Sequence, residues 1–312
     1  MLTAISRFLF IATLVLFGHS NALLSNQPNI IVIFTDDQGY SDLGIQGIHE
    51  DVQTPHIDDL VESGIRMTCG FVTAPQCMPS RVGILTGRYQ QFSGVESNVL
   101  WTEQNSTNAM LPKTSTIASK LKEQGYVTGM AGKWGVGGTF SRRLPKQSLM
   151  ITNQMLDRLP HARGFDEYFC GTLDPYVASH NVKGEPLLNP PEIQRDPRYR
   201  VNVQADAAVS FIDRHAHGEQ PFFLYFAPYS PHSPFDAPKD YLDRFSHIKN
   251  ERRRTCLAMM SCVDDSVGRL IGKLKEHGTG SDSSCYHLGL ESVRYMWRVY
   301  SSSIPPPRLF RS

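Results

Sequence analysis

The sequence predicts an α/β fold, a sandwich in which helices cover a mostly parallel β-sheet. Three runs, at 29–34, 126–131 and 221–227, are predicted to be strands. The first is a continuous apolar run and the third is rich in phenylalanine, as expected for strands that are buried on both faces. Each run is followed by a polar loop, and helical patterns separate the runs. This repeated order is typical of the architecture. With 312 residues, 40% of them hydrophobic, the chain is long enough for one large domain.

The first 22 residues are predicted to be a secretory signal peptide. Arg7 precedes an apolar run at 8–17 that is too short to span a bilayer, and Ser20-Asn21-Ala22 has the small residues of a cleavage site. A membrane anchor is the alternative for this segment. No later segment has the pattern of a membrane span. The mature chain is therefore predicted to enter the secretory pathway and to be secreted or lysosomal.

Cysteine content and charge limit the classes of partner. The six cysteines are Cys69, Cys77, Cys170, Cys256, Cys262 and Cys285, and disulfides are permitted in an oxidising compartment. A lone glycosylation sequon at Asn105 is consistent with secretion. The formal net charge is only +1, so no basic patch for nucleic acid is expected.

Four helices are predicted between and after the strands. Thr54-Pro55 begins a short one that ends near Gly64, and 114–124 is an amphipathic helix that ends at Gly125. The segments 202–215 and 251–277 are also predicted to be helical, and the second is long with an apolar face.

Polar side chains follow each predicted strand at its C-terminal end. Asp36 and Asp37 follow the first strand, Lys133 the second and His232 the third. Because ligand sites of such sheets lie at this edge, we expect the four residues to lie close together. Paired carboxylates suit Ca²⁺ or Mg²⁺. The alternatives are a solvated Asp-Asp turn, a solvated lysine and a structural loop histidine.

A fifth helix is predicted to begin at Pro79-Ser80, which places Cys77 at its N-terminus. Free N–H groups and the helix dipole favour a bound anion there. Arg81, four residues after Cys77, lies across the first turn. Considered alone, Cys77 is more typical of a structural or disulfide cysteine, and Arg81 of a surface or ion-paired arginine.

The segment Cys77-Met78-Pro79-Ser80-Arg81, with its continuation to Arg88, resembles the signature of the type I sulfatases. Seven other segments between about 29 and 277 follow the order found in that family. They lie at 36–40, 54–58, 121–126, 132–134, 163–167, 222–228 and 263–269.

The resemblance implies an alkaline phosphatase-like fold and hydrolysis of sulfate monoesters of aryl or glycan alcohols. It implies that the formylglycine-generating enzyme oxidises Cys77 to formylglycine, whose aldehyde hydrate attacks sulfur. It also implies one calcium ion, held by Asp36, Asp37 and the modified Cys77. Three further groups would surround the nucleophile and the sulfate, namely Arg81, Lys133 and His232.

The chain departs from the family pattern in two places. Gly135 stands where the family has a histidine, and His180 is a candidate replacement. Beyond Gly278 the family's Ser-Asp-Asn-Gly segment, which completes the calcium shell, is not found. The sequence therefore predicts an incomplete N-terminal catalytic domain at 23–278 and a divergent, irregular tail at 279–312.

Two other functions remain open on the sequence alone. The chain could be a catalytically inactive, truncated sulfatase-like protein with a binding or regulatory role. It could also be a phosphodiesterase or phosphatase of the same fold. Those relatives commonly use a serine or threonine nucleophile and two metals, so Cys77 argues against this last alternative.

Overall fold

The computed structural model describes residues 27–67, 70–98, 114–137 and 156–279, together with the backbone of two strands at 283–288 and 296–297. The predicted signal peptide at 1–22, Cys69 and the sequon at Asn105 lie outside the described residues. Among the residues described, no helix is both long enough and apolar enough to cross a bilayer.

The described strands form an eight-stranded sheet. In chain order they are β1 (Asn29–Phe34), β2 (Val127–Gly132), β3 (Glu167–Cys170), β4 (Tyr176–Ala178), β5 (Glu192–Gln194), β6 (Phe222–Ala227), β7 (Ser283–Leu288) and β8 (Met296–Trp297). Their spatial order is β5-β4-β3-β2-β6-β1-β7-β8. The five strands from β3 to β7 in this order run parallel, and the β3–β4, β4–β5 and β7–β8 pairs are antiparallel. The predicted mostly parallel sheet is confirmed.

The described α-helices are α1 (Pro55–Glu62), α2 (Cys77–Thr86), α3 (Ile117–Glu123), α4 (Arg200–His215), α5 (Lys239–Arg244) and α6 (Glu251–Glu276). All five predicted helices are present, with ends shifted by a few residues. Helix α3 begins after Thr116, whose hydroxyl accepts a hydrogen bond from the Ser119 N–H in a capping box. The sequence did not predict α5, which is only six residues long.

The helices cover both faces of the sheet, because neighbouring residues of a strand point to opposite sides. Ile31 and Ile33 of β1 lie in one buried cluster, which also contains residues of α1, α4 and α6. Val32 and Phe34 lie in a second cluster with residues of α2 and α3. A strand that is covered on both faces is mostly apolar, so the apolar runs of β1 and β6 were a reliable signal.

The three predicted strands are confirmed as β1, β2 and β6, but β3, β4 and β5 were missed. These three have only three or four residues each, so their local pattern cannot be distinguished from a loop. Pairing with β2 and then with one another, rather than hydrophobic pattern, makes them strands.

The prediction that 279–312 is irregular is wrong for part of its backbone. Strand β7 pairs in parallel along all of β1, from Asn29–Ser283 to Phe34–Leu288. Strand β1 is central and buried, and its outer edge offers N–H and C=O groups that must find partners. The need of β1 for a partner strand arises in the tertiary structure and is not visible in the sequence of the later segment.

Two of the sequence motifs meet where α1 packs against α6. The Asp264 carboxylate accepts hydrogen bonds from the backbone N–H groups of His56 (3.2 Å) and Ile57 (2.8 Å), which lie in the first turn of α1. Gly268, one turn further along α6, leaves room for the His56 ring, because an added Cβ would lie 2.6 Å from that ring. The Asp264 motif therefore serves to anchor a helix.

Gly268→Ala should lower the free energy of unfolding by about 1–3 kcal/mol, because the new methyl group overlaps the His56 ring. Gly272→Ala, in the same helix, should raise it by about 0.5–1 kcal/mol, because a Cβ there meets nothing within 4 Å and alanine favours helix. Urea denaturation of both variants measures the two changes. Equal effects of the two substitutions would contradict the proposed packing of His56.

Candidate active site

The structure brings the six predicted site residues together at the carboxyl edge of the sheet. Adjacent strands β2, β6 and β1 end in the loops that carry Lys133, His232 and the Asp36-Asp37 pair, respectively. Helix α2 begins at Cys77 on the same side, with Arg81 one turn further on. The parallel strands predicted that the site would lie at this edge of the sheet, whereas the distances between its side chains depend on the tertiary structure.

A buried carboxylate with two cations forms the centre of the site. Asp36 is fully buried, Lys133 Nζ lies 2.6 Å from its Oδ2 atom, and Arg81 Nη2 lies 3.5 Å from its Oδ1 atom. Burial by itself opposes ionisation of Asp36, but the charges of Arg81 and Lys133 outweigh it and hold the pKa of Asp36 below its usual range. The carboxylate is therefore ionised, and its charge is compensated inside the protein.

Arg81 is held on several sides although it is fully buried. Its Nη1 atom donates to the Lys133 carbonyl (2.9 Å) and to the Tyr225 hydroxyl (3.2 Å), and its guanidinium carbon lies 5.2 Å from the centre of the Phe34 ring. Burial disfavours its charged form, but Tyr225 and Asp36 outweigh this and raise the pKa of Arg81. Arg81 is therefore a fixed internal cation.

Three buried polar atoms of this centre have no hydrogen-bond partner among the described residues. They are Asp36 Oδ1, Arg81 Nε and Arg81 Nη2. Buried polar atoms normally have a partner, because leaving one unsatisfied costs about 1–3 kcal/mol. Asp36 Oδ1 and Arg81 Nη2 lie 3.5 Å apart as an ion pair, and the carboxylate oxygen could also bind a cation while the guanidinium N–H groups bind an anion.

Asp37 lies between Cys77 and His232. Its Oδ1 atom is 3.9 Å from Cys77 Sγ, and its Oδ2 atom is 3.4 Å from His232 Nε2. Burial and the adjacent charge of Asp36 raise the pKa of Asp37. Its backbone is in the left-handed region (φ 63°), which is unusual outside glycine.

The Cys77 side chain is buried at the first turn of α2. Burial, together with the charge of Asp36, raises the pKa of the Cys77 thiol to about 11. At neutral pH the group is thus a thiol and a weak nucleophile, despite the helix N-terminus beside it. Asp36, Cys77 and His232 each offer a possible ligand atom, and these three atoms lie within 4.8 Å of one another.

The His232 ring is oriented by its own loop and by an aromatic neighbour. Its Nδ1 atom lies 2.8 Å from the Ser233 carbonyl, to which it donates, so that Nε2 points towards Asp37. The ring stacks on Tyr229 with 4.6 Å between ring centres, and Lys133 Nζ lies 5.0 Å from the centre of the same Tyr229 ring. Tyr229 therefore connects the two groups.

Gly132 allows Lys133 to reach the site. It has φ 109°, and an added Cβ would lie 2.1 Å from the Ala227 carbonyl oxygen, so only glycine lets the end of β2 lie this close to β6. The Lys133 N–H then donates to that carbonyl oxygen at 2.7 Å.

Gly135 lies beside Arg81, and His180 does not replace the missing histidine. An added Cβ at Gly135, which has φ 69°, would lie 3.1 Å from Arg81 Cδ. The prediction for His180 is wrong, because His180 Nε2 lies 3.9 Å from Glu167. Glu167 is the first residue of β3, at the opposite edge of the parallel strands.

Sequence reasoning missed two aromatic residues of the site, Tyr225 and Tyr229. Tyr225 lies within the apolar run of β6, and a buried hydroxyl there needs a partner, which was the available signal. Its partner is Arg81. No local pattern indicated Tyr229, because its role depends on a ring contact with His232.

A family model described as Sulfatase matches residues 28–285. Arylsulfatase J of Mus musculus is 31% identical over 83% of this chain, and arylsulfatase A of Homo sapiens is 31% identical over 71%. The chain spans 42% and 44% of the length of these two relatives, less than half of each. The crystal structure of Ps i-CgsB in complex with k-i-k-neocarrahexaose is also similar, with a TM-score of 0.69, 29% identity and coverage of 84% of this chain and 58% of that one. The predicted alkaline phosphatase-like fold is confirmed by such neighbours.

Arg81→Met should lower the free energy of unfolding by about 3 kcal/mol, because it leaves a buried carboxylate with one cation and removes the donor to Tyr225. Urea denaturation measures the change. The matched control is Arg88→Met, since Arg88 is exposed just after α2 and should tolerate the change within about 0.5 kcal/mol. A similar loss in both variants would contradict the assigned ion cluster.

Alkylation of Cys77 by iodoacetamide, in protein that keeps the thiol, should increase with pH up to about pH 11. A raised pKa leaves less thiolate at a given pH, so at pH 8 the reactive fraction should be about one-hundredth of that of an ordinary thiol. Peptide mass spectrometry over a pH series gives the midpoint, and the same protein in urea is the control. A midpoint near pH 9 in the folded protein would contradict the burial effect.

Proposed function

Because the chain belongs to the sulfatase family, we propose that it hydrolyses sulfate monoesters with a formylglycine hydrate made from Cys77 as the nucleophile. The observation that carries the proposal is the position of Cys77. It begins a helix beside Asp37 and opposite two buried cations whose charge is only partly used by Asp36. An aldehyde hydrate here would have oxygen atoms at a site that favours anions.

The chemistry of residue 77 supports conversion rather than use of the thiol. The pKa of about 11 leaves Cys77 almost wholly protonated at neutral pH. A hydrate has two hydroxyl groups in place of one sulfur atom. One hydroxyl can attack sulfur, and the other can later release the sulfate, which a serine could not do. Conversion would require the formylglycine-generating enzyme as a partner during maturation.

Lys133 and Arg81 would bind the sulfate oxygens and stabilise the charge that develops on them. Both cations are fixed before substrate binds, Lys133 by Asp36 and Tyr229, and Arg81 by Tyr225. Preorganised charges of this kind need no rearrangement during the reaction. Arg81 Nε and Nη2 have no hydrogen-bond partner within the described part of the chain, and Nη2 has only the 3.5 Å ion pair with Asp36, so both could donate to these oxygens.

A calcium ion fits the same edge once residue 77 carries oxygen. Ca²⁺ prefers carboxylate and other oxygen ligands, and the ligands would be Asp36, Asp37 and the hydrate. The buried Asp36 Oδ1 atom, which accepts no hydrogen bond among the described residues, supports this fit. When bound, the ion would supply positive charge to the hydrate oxygen and to the sulfate.

The proposed reaction has two stages. A hydrate hydroxyl would attack sulfur and release its proton to solvent, the bond between sulfur and the alcohol oxygen would break, and a protonated His232 would donate its Nε2 proton to the leaving alcohol. The second hydroxyl would then return a proton to His232 Nε2, its carbon would form the C=O bond, and the carbon–oxygen bond to the sulfate would break. Water restores the hydrate. The Asp37–His232 contact of 3.4 Å would hold the imidazole in line for the first stage.

The substrate is proposed to be a sulfated aryl alcohol or glycan. We also propose that 1–22 is removed, that 23–278 carries the catalytic residues, that 279–312 is a divergent tail and that the product is secreted or lysosomal. The second candidate is an inactive sulfatase-like chain with a binding role. Gly135, which offers no side chain beside Arg81, favours that alternative.

Cys77→Ser should complete only the first stage, because one hydroxyl can accept the sulfate but cannot release it. Expressed in cells able to convert cysteine, wild-type protein should carry an aldehyde at 77 and turn over a chromogenic aryl sulfate, with loss of activity in a calcium chelator. The variant should give at most one equivalent of phenol and a sulfate ester on Ser at 77. Mass spectrometry detects both states.

Cys77→Ala is the matched control, since it has no nucleophile and should give neither phenol nor adduct. An unmodified thiol at position 77 in the secreted wild-type protein would contradict the catalytic proposal. A converted residue 77 without any hydrolysis would favour the inactive alternative.

A further inference from the structure

Arg200 is a buried cation that lies outside the predicted site. Its side chain binds the loop that carries His232. Arg200 is the first residue of α4, and its side chain is 1% exposed. Nε donates to the Tyr229 carbonyl at 2.7 Å, and Nη2 donates to the carbonyls of His232 (3.1 Å) and Pro234 (2.8 Å). Nη1 donates to the Asp236 carboxylate. The guanidinium thus makes four hydrogen bonds to four residues of the segment 229–236.

The carbonyls that Arg200 binds lie at and on either side of His232, so the side chain determines the path of the loop there. The N-terminal end of the loop is held separately, because the Asp36 N–H donates to the Ser230 carbonyl at 3.1 Å. That bond ties the loop to the end of β1. The Tyr229 N–H also donates to Gln204 Oε1 at 2.9 Å. Arg200 holds the later part of the loop, where prolines remove backbone N–H groups.

Arg200 also contacts the ring on which His232 stacks. Its guanidinium carbon lies 5.6 Å from the centre of the Tyr229 ring and 4.9 Å from that of Tyr199. The His232 ring stacks on the same Tyr229 ring, with 4.6 Å between the ring centres. Moving Arg200 would therefore disturb both the backbone of His232 and the aromatic surface that orients its imidazole.

Only arginine suits this position. Its planar guanidinium reaches carbonyls in several directions from separate nitrogen atoms, whereas a lysine has three donors on a single atom. The buried charge is balanced by Asp236, which is 56% exposed, at the outer end of the group. The remaining bonds go to neutral carbonyls, so most of this interaction serves to shape the loop.

We propose that Arg200 is a positioning residue that holds His232 Nε2 against Asp37 for proton transfer to the leaving group. The proposal rests on the proposed function for the proton transfer, and on the structure for the position. Arg200 lies outside contact with the substrate and acts only through the Tyr229–Asp236 loop. Its loss should lower kcat more than it changes KM, because Lys133 and Arg81 keep their contacts with Asp36.

The test is a double-substitution cycle on the full-length chain, produced in cells that convert Cys77. Arg200→Lys should lower kcat for a chromogenic aryl sulfate about 100-fold, the loss typical of a 1 Å misplacement of a reacting group. In a His232→Ala background, the same substitution should change kcat less than about threefold. An equal fold-loss in both backgrounds would overturn the proposal, since Arg200 would then act through overall structure.

Arg198→Lys is the matched control, because Arg198 lies two residues away, pairs with Asp196 and Asp206, and should leave kcat unchanged. Crystal structures of wild type and Arg200→Lys give a readout that needs no activity. The His232 Nε2–Asp37 Oδ2 distance of 3.4 Å should lengthen by about 1 Å or more. An unchanged distance would overturn the proposal even if wild type proves inactive, in which case the sulfatase proposal fails separately.

If Arg200→Lys does not fold, Asp236→Asn replaces it in both measurements. This variant removes the charge partner of Arg200 at an exposed position and leaves the carbonyl bonds possible. It should shift the His232 loop in the same direction, with a smaller kcat loss of about 10-fold. A crystal structure with the loop unmoved, together with wild-type kcat, would overturn the proposal.

Discussion

The ionised carboxylate of Asp36 is the constraint on which the rest of the site depends. A carboxylate with no access to water is tolerated only when cations compensate it, and here Lys133 and Arg81 do so. Lys133 lies at the end of β2, and Arg81 lies in α2. Compensation of the Asp36 charge therefore places both elements against the end of β1. The same cations are then available, already ordered, for an anion that reaches the site.

A layer of neutral groups fixes the charged ones. The Tyr225 hydroxyl and the Lys133 carbonyl hold Arg81, and the Tyr229 ring lies against both Lys133 and His232. Because these contacts use rings and carbonyls, they add no further charge to a crowded interior. Functional side chains in such a setting keep one orientation, which is what preorganised electrostatic stabilisation requires.

Two of the three Asp-Asp pairs of the chain have different tasks, and their surroundings explain why. Asp36-Asp37 follows a central strand, where the backbone leaves the sheet and directs both carboxylates into the site. Asp264-Asp265 lies within α6, where Asp264 accepts N–H groups of α1. The dipeptide by itself cannot distinguish a candidate metal site from a helix anchor, but the secondary structure around it can.

The sequence by itself determined β1, β2 and β6 of a mostly parallel sheet and the five longer helices, because buried strands and amphipathic helices have recognisable patterns. It grouped Asp36, Asp37, Lys133 and His232 because ligand sites follow the C-terminal ends of such strands. Cys77 and Arg81 were identified from the segment that begins at Cys77. Only the tertiary structure decided that β7 completes the sheet, that His180 lies at the opposite edge, and that Tyr229 orients His232. The physical reason is the sequence separation over which each kind of interaction acts. Hydrophobic pattern acts between neighbours in the chain, whereas charge compensation, ring stacking and strand pairing depend on which distant segments meet in space.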